Sequence, residues 1–196
     1  MSYSILRFVH LLGLVLIGAG LIGVWYADLR SRQAQSLPLF AETVRQIAVL
    51  YDGLVVPGAV LLLGSGVWLI ITMYGGWTFL TIPWLAGMVA LFAFEFIEGN
   101  TITRLYFMRL RRLTQAALTL GTVTAELEQA RGKHLPTFTH FLDLPLLFVI
   151  VALGAMRPNT WYLFGIGVVL SLIAAAVLTL TIPRLYPLNI GRGDQC

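Results

Sequence analysis

Charge is the first thing this sequence lacks. Only 11% of its 196 residues are charged, against 58% hydrophobic, and the mean hydropathy is +0.85. A soluble domain carries about a quarter charged residues, so a soluble globular enzyme is excluded as a class. Cysteine is nearly absent too. Cys196, at the last position, is the single one, so no internal disulfide forms. Without C-x-x-C or C-x-x-C-H, thiolate clusters and covalently attached c-type haem are excluded within this chain. No basic block alternates with aromatics, which leaves no nucleic-acid site. A length near 200 leaves no room for a separate soluble domain.

Long apolar runs are what the chain has. Five can cross a bilayer, which takes about 20 residues per helix. They cover approximately 5–27, 48–73, 80–107, 136–156 and 160–183. The reading is all-α: a polytopic membrane helix bundle with a four-helix core plus a fifth C-terminal transmembrane helix. It is one transmembrane domain over 1–196, with a core at 1–158, an additional helix at 159–183 and a cytoplasmic tail at 184–196. The first run resembles a signal peptide in its early Arg7 and apolar centre, but no A-x-A cleavage site follows, so it is expected to stay as a helix. Gly75-Gly76, Arg157-Pro158-Asn159, and Pro183 with Pro187 mark the breaks. The polar stretch 108–134 is rich in helix formers, so the third helix should run past the membrane surface and then fold back.

Basic residues set the orientation. Arg30, Arg32 and Arg45 follow the first run, Arg109, Arg111, Arg112, Arg131 and Lys133 follow the third, and Arg184 and Arg192 sit in the tail. Cytoplasmic loops collect Lys and Arg. The expectation is a multi-pass protein of a bacterial inner membrane, N-terminus outside and C-terminus cytoplasmic, with Arg7 mildly against it. Trp77, Trp84 and Trp161 then fall at the outer interface, where indoles settle.

Against this background "LFAFEFIEGNTITR", residues 91–104, demands an account of Glu95 and Glu98. A charged residue at a helix centre costs roughly 2.5–3.5 kcal/mol, while an apolar one returns about 0.3–0.6 kcal/mol. Unpaired and ionised, the two would offset about a dozen apolar residues. They must be protonated, paired or near water. The spacing i, i+3 puts them on one face. His140 and Asp143 share a face in the same way, and Tyr51 and Asp52 open the second run. Asp52, Glu98, Arg104, His140 and Asp143 therefore fall at similar depth on the inner side, with Glu95 above them. Three readings are open for this cluster. One is a structural ion-pair network neutralised by Arg104 and Arg45. One is a metal site, although only one histidine is at hand and no E-x-x-H spacing occurs. The third is a proton path or quinone-adjacent relay.

His10 lies early in the first run, far in depth from His140. A stripe of Gly13, Ile17, Gly20, Val24 and Ala27 continues from it. Glycines on one stripe let another helix, or a flat macrocycle, approach closely. His10 is thus a candidate axial ligand of a b-type haem, its metal-binding residue, with Gly13 and Gly20 beside the cofactor. The alternative is an imidazole hydrogen-bonded across helices or to interfacial water.

"LRFVHLLGLVLIGAGLIGVWYADLRSR", "YDGLVVPGAVLLLGSGVWLI", "GGWTFL…PW" and "FTHFLDLPLLFVIVALGAMRP" resemble the helices of a bacterial family of predicted integral membrane proteins, domain of unknown function 2269. The resemblance covers about 1–158. A more distant similarity is to membrane protoporphyrinogen IX oxidases and copper-resistance D type proteins. It rests on His10 before Gly18-Ala19-Gly20, and on Asp143, Pro145 and Arg157-Pro158. This resemblance implies a four-helix core able to hold b haem on His10. The chain departs from the oxidases where they carry Lys early in the third helix, since "PWLAGMVALFAF" has none. It also has Glu95 and Glu98 where they favour His. Porphyrinogen oxidation is therefore set aside, and a haem here would serve electron transfer or sensing. Two function classes follow. One is a b-haem redox or electron-transfer component. The other is a non-enzymatic accessory or assembly subunit of a membrane, respiratory-type complex, with a structural or proton-relay polar cluster. The expected partners are the lipid bilayer, other membrane redox subunits or a second copy of the chain. No catalytic residue is assigned.

Overall fold

A computed structural model describes residues 3–186 and Ile190. The expected tail beyond Tyr186, with Arg192 and Cys196, otherwise lies outside the described residues. Five helices are long and apolar enough to span a membrane: α1 (Tyr3–Arg32), α2 (Leu37–Met73), α3 (Pro83–Leu120), α5 (His134–Met156) and α6 (Tyr162–Leu185). A short α4 (Ala125–Arg131) lies between α3 and α5. As expected, α3 runs on beyond its apolar stretch and the chain folds back through α4.

Helix α2 departs from expectation by beginning at Leu37 rather than near 48. Polar Glu42, Arg45 and Gln46 hide the start. Yet Phe40, Val44, Ile47 and Tyr51 recur at three- and four-residue steps and are buried, which is the stripe of an amphipathic helix. Pro38 sits in its first turn, where a missing N–H costs nothing. At the opposite end Gly75 and Gly76 stop α2 with φ of 64° and 66°, values at which a side chain would clash with its own backbone. The reversal between α5 and α6 uses Arg157 at φ 47° before Pro158, and its guanidinium lies 5.4 Å from the centre of the Trp84 ring.

Around the bundle, α1 packs on α2, the polar half of α2 on the polar half of α3, the apolar half of α3 on α5, and α6 on the outside of α5. Helix α5 is central: 61% of its apolar stretch is buried, against 22–33% for the other spans. It therefore carries the polar side chains that every neighbour can reach. Two apolar cores lie on either side of it. One joins α1, α2, α3, α4 and, through Leu144 and Leu147, α5, and the other joins α3, α5 and α6. Trp25 packs on both, and its indole N–H donates to the His140 carbonyl at 3.1 Å.

Glycine sets the α1–α2 crossing. A Cβ on Gly13 would stand 2.9 Å from the Gly58 carbonyl oxygen, and one on Gly58 would stand 2.8 Å from that of Gly13. A Cβ on Gly20 would meet Val55 at 2.6 Å. Of the two neighbours such a stripe admits, the structure supplies a helix.

Candidate functional site

Two π-helical turns face each other inside the bundle. One is Tyr51–Val55 in α2 and the other Gly99–Thr103 in α3. Pro57 accounts for the first. Its ring cannot donate to the Gly53 carbonyl and crowds it, so the helix widens there. The Tyr51 hydroxyl reaches the Gly99 carbonyl at 3.4 Å. Such widened turns recur at functional sites.

The second turn does something an α-helix cannot. Residues five apart on an α-helix stand about 140° apart around the axis. The π-turn brings Glu98 and Thr103 to one side, and the Thr103 hydroxyl donates to Glu98 Oε1 at 2.7 Å. Thr103 also lies 3.0 Å from the Thr139 hydroxyl on α5, and Thr139 is 3.2 Å from the Pro136 carbonyl. Asp143, one turn along α5, lies on the Glu98 side of that helix. Glu95 completes the group, its Oε1 sealed from the surface with no partner, as is Asp143 Oδ2, among the described residues. Glu98 and Asp143 are each only 5% exposed. Three carboxyl groups thus lie in one region of the bundle, and no ion pair joins any of them to a cation among the described residues.

The expected single cluster is in fact three groups. Glu95, Glu98 and Asp143 form the first. His140 turns the other way, toward α1. Its Nε2 lies 3.8 Å from Asp28 Oδ2, too long for a hydrogen bond, and the ring is enclosed by Trp25, Phe107 and Phe141. Asp28 accepts from Arg32 Nε at 2.8 Å, with both side chains buried. The third group is Asp52 with Arg104, joined at 2.9 Å on the bundle surface. Arg104 therefore does not neutralise the glutamates, and neither does Arg45, which pairs with Glu42 at 2.8 Å. Asp28 and Arg32 were not singled out from sequence. The i, i+4 spacing of opposite charges was the available signal, passed over because both lie beyond the apolar run.

His10 and His140 remain apart. His10 Nδ1 is 2.9 Å from Ser65 Oγ on α2. Ser65 spends its own proton on the Leu61 carbonyl, so the hydroxyl accepts from Nδ1–H. Nε2 is left unengaged among the described residues, and a Cβ on Gly66 would stand 3.4 Å from Cε1. An imidazole held by one nitrogen with the other free has the donor arrangement of a metal ligand. His10 and Ser65 thus fit an axial ligand with its orienting partner. Gly13 and Gly20, taken up by the helix crossing, add no open face. Among the described residues, no three His, Cys, Asp or Glu side chains are placed to hold a metal ion by themselves.

A family model described as predicted integral membrane protein (DUF2269) matches residues 4–158. The match spans α1 to α5 and stops before α6. No curated protein and no solved structure matches the chain. Four of the five spans and every residue of the buried acid site lie inside the matched stretch, and the chain belongs to this family of predicted integral membrane proteins.

Proposed function

We propose that this integral membrane protein holds and passes protons at Glu95, Glu98 and Asp143, as an accessory or assembly subunit of a respiratory-type complex in a bacterial inner membrane. Its N-terminus would face out and its C-terminus the cytoplasm. One observation carries the reading: two buried carboxyl groups, Glu98 and Asp143, and the half-buried Glu95 lie together without a cation. Like charges gathered away from water resist joint ionisation, so a group of acids without a cation is suited to hold a proton.

The hydroxyls give that proton a way to move. With Glu98 ionised, Thr139 donates to Thr103 and Thr103 to Glu98. With Glu98 protonated, the chain reverses: Glu98 donates to Thr103, Thr103 to Thr139, and Thr139 to the Pro136 carbonyl. Both settings use the Glu98–Thr103 and Thr103–Thr139 contacts; the Pro136 carbonyl accepts only in the second, and each proton passed to Glu98 is replaced at Thr139 by one taken from water at the polar end. The chain leads from the acid site toward the first turn of α5, at the polar end of the bundle. In proteoliposomes with an internal pH dye, wild-type protein should pass protons, and Glu98→Gln should abolish this with its unfolding midpoint nearly unchanged. Equal proton flux through Glu98→Gln, or none through wild type, rejects the relay. A variant that only melts earlier marks the cluster as structural.

His10 favours a second reading, in which the protein is a redox component with b haem on His10 Nε2. Ser65 would orient the imidazole through Nδ1–H. A b-type haem supplies reversible one-electron transfer at its iron. Purified protein should then show a dithionite-reduced haem spectrum that His10→Ala lacks. A colourless preparation from haem-replete cells ends this reading and leaves the relay untouched.

A further inference from the structure

At the polar end of the bundle, on the far side of α5 from the carboxyl site, lies a cavity of about 280 Å³. Arg32, Arg131, Lys133, His134 and Thr137 line it, with Pro183 of α6 at one edge. Its charge is lopsided: three permanent cations face one lining acid, the exposed Glu128, which makes no ion pair with Arg131. Asp28 lies behind and engages Arg32 only through Nε, so the two terminal amines of Arg32 have no acceptor among the described residues.

Arg131 is the informative residue. Its guanidinium stacks 4.2 Å above the Phe40 ring, which fixes the plane of the fork. Its Nη2 is sealed from the surface with no hydrogen-bond partner among the described residues. Burial brings its pKa down to about 10, so the group stays charged at neutral pH while bearing an unrelieved desolvation cost. A buried, unpartnered, charged donor is costly. Nε and Nη1 have no partner among the described residues either and are not sealed, so an anion with several acceptor oxygens can reach the guanidinium from the cavity through them. Helix α5 also starts here, at His134, with no side chain capping its first turn. Its free N–H groups, on His134, Leu135 and Thr137 since Pro136 has none, and its positive dipole end favour the same charge.

We propose that this cavity binds a phosphate group, held by the Arg131 guanidinium with Arg32, Lys133 and the first turn of α5. Arginine forks match phosphate oxygens two at a time. Basic pockets between membrane helices on the polar side take phospholipid headgroups. The group can thus come from an anionic lipid or from free phosphate, and the test separates the two.

The full chain in neutral detergent micelles would be titrated with phosphatidylglycerol, with phosphatidylcholine as the zwitterionic control, and separately with inorganic phosphate. Bound lipid is read by native mass spectrometry and phosphate binding by the unfolding midpoint. Wild type should prefer phosphatidylglycerol to phosphatidylcholine. Arg131→Gln and Lys133→Gln should each weaken binding about fivefold, the scale for one cation near a lipid phosphate. Arg112→Gln, an exposed cation elsewhere on the polar side, should leave it unchanged. A response to both probes, lost together in Arg131→Gln, assigns the site to the phosphate group itself. A response to phosphatidylglycerol alone assigns it to a lipid headgroup. Should Arg131→Gln fail to fold, Lys133→Gln, altered at an exposed side chain, decides. The proposal is overturned if wild type binds neither probe, if the cavity variants bind as wild type does, or if Arg112→Gln loses as much as they do.

Discussion

His140 and Asp143 stand three residues apart on α5, yet they belong to two polar regions of opposite design. His140, its ring enclosed by Trp25, Phe107 and Phe141, meets Asp28, and Asp28 meets Arg32 at the cavity wall: an acid with a cation at 2.8 Å. Asp143 meets Glu98 and Glu95, acids without a cation. The first region is held by opposite charges and is neutral as it stands. The second becomes neutral only by taking up protons. Over 139–144, where every residue of α5 is buried, the helix can serve both because residues i and i+3 differ by about 60° around the axis. That angle matters little on a helix with one packed face. It is enough to change neighbours on one packed all round.

The sharpest way to break the comparison is to remove the acid from the balanced side. Asp28→Ala leaves Arg32 buried and unpaired, and losing one partner of a buried pair costs about 3–5 kcal/mol. A large drop in the unfolding midpoint during denaturant titration in micelles should follow. Replacing both partners, as Asp28→Leu with Arg32→Met, should recover most of the loss, because an apolar pair of similar size leaves no charge stranded. If the double variant is as unstable as the single one, the region is more than a closed ion pair.

On the acid side the effect should be smaller and of another kind. Thr103→Val keeps the shape and removes the hydroxyl between Glu98 and Thr139. Losing such a bond costs about 0.5–1.5 kcal/mol. Proton flux in proteoliposomes should fall much further than stability does, because the same hydroxyl is the middle link of the chain. Loss of stability with flux unchanged would mean that protons reach Glu98 by another way.

The sequence disclosed these regions unequally. Five spans, the fold-back after α3 and the tight turn at Arg157-Pro158 follow from hydropathy and turn chemistry, which act locally. The meeting of Glu98 with Asp143 was legible as well, since acids in apolar helices must find polar company. The partition was not. His140 and Asp143 share a face by spacing, and only the packing of α1 on one side and α3 on the other separates them. The π-turn at Gly99–Thr103 was hidden too, because it changes the angular step that spacing arguments assume. Asp28 and Arg32 were hidden for a simpler reason: α1 extends past its hydrocarbon-like run, and the i, i+4 spacing of opposite charges was the available clue.

The smallest expected effect concerns Asp52 and Arg104, the pair that spacing placed with the buried acids. Their side chains remain 50% and 35% exposed at a separation of 2.9 Å. An ion pair in contact with water is worth roughly 0.2–1 kcal/mol and weakens as salt rises. Asp52→Asn should therefore lower the unfolding midpoint slightly, and the difference from wild type should shrink at high salt. This variant also calibrates the other two. The pair lies beside both π-turns, so its surroundings report where the polar boundary crosses the bundle. A small, salt-sensitive loss places residue 52 in water or headgroups, with the carboxyl site one step inside the boundary and close enough to exchange protons with it. A loss as large as that of Asp28→Ala, indifferent to salt, would put the boundary further out. Asp52 and Arg104 would then be a second balanced pair in hydrocarbon, and the proton route from Glu98 would need a longer way to water than Thr103 and Thr139 provide.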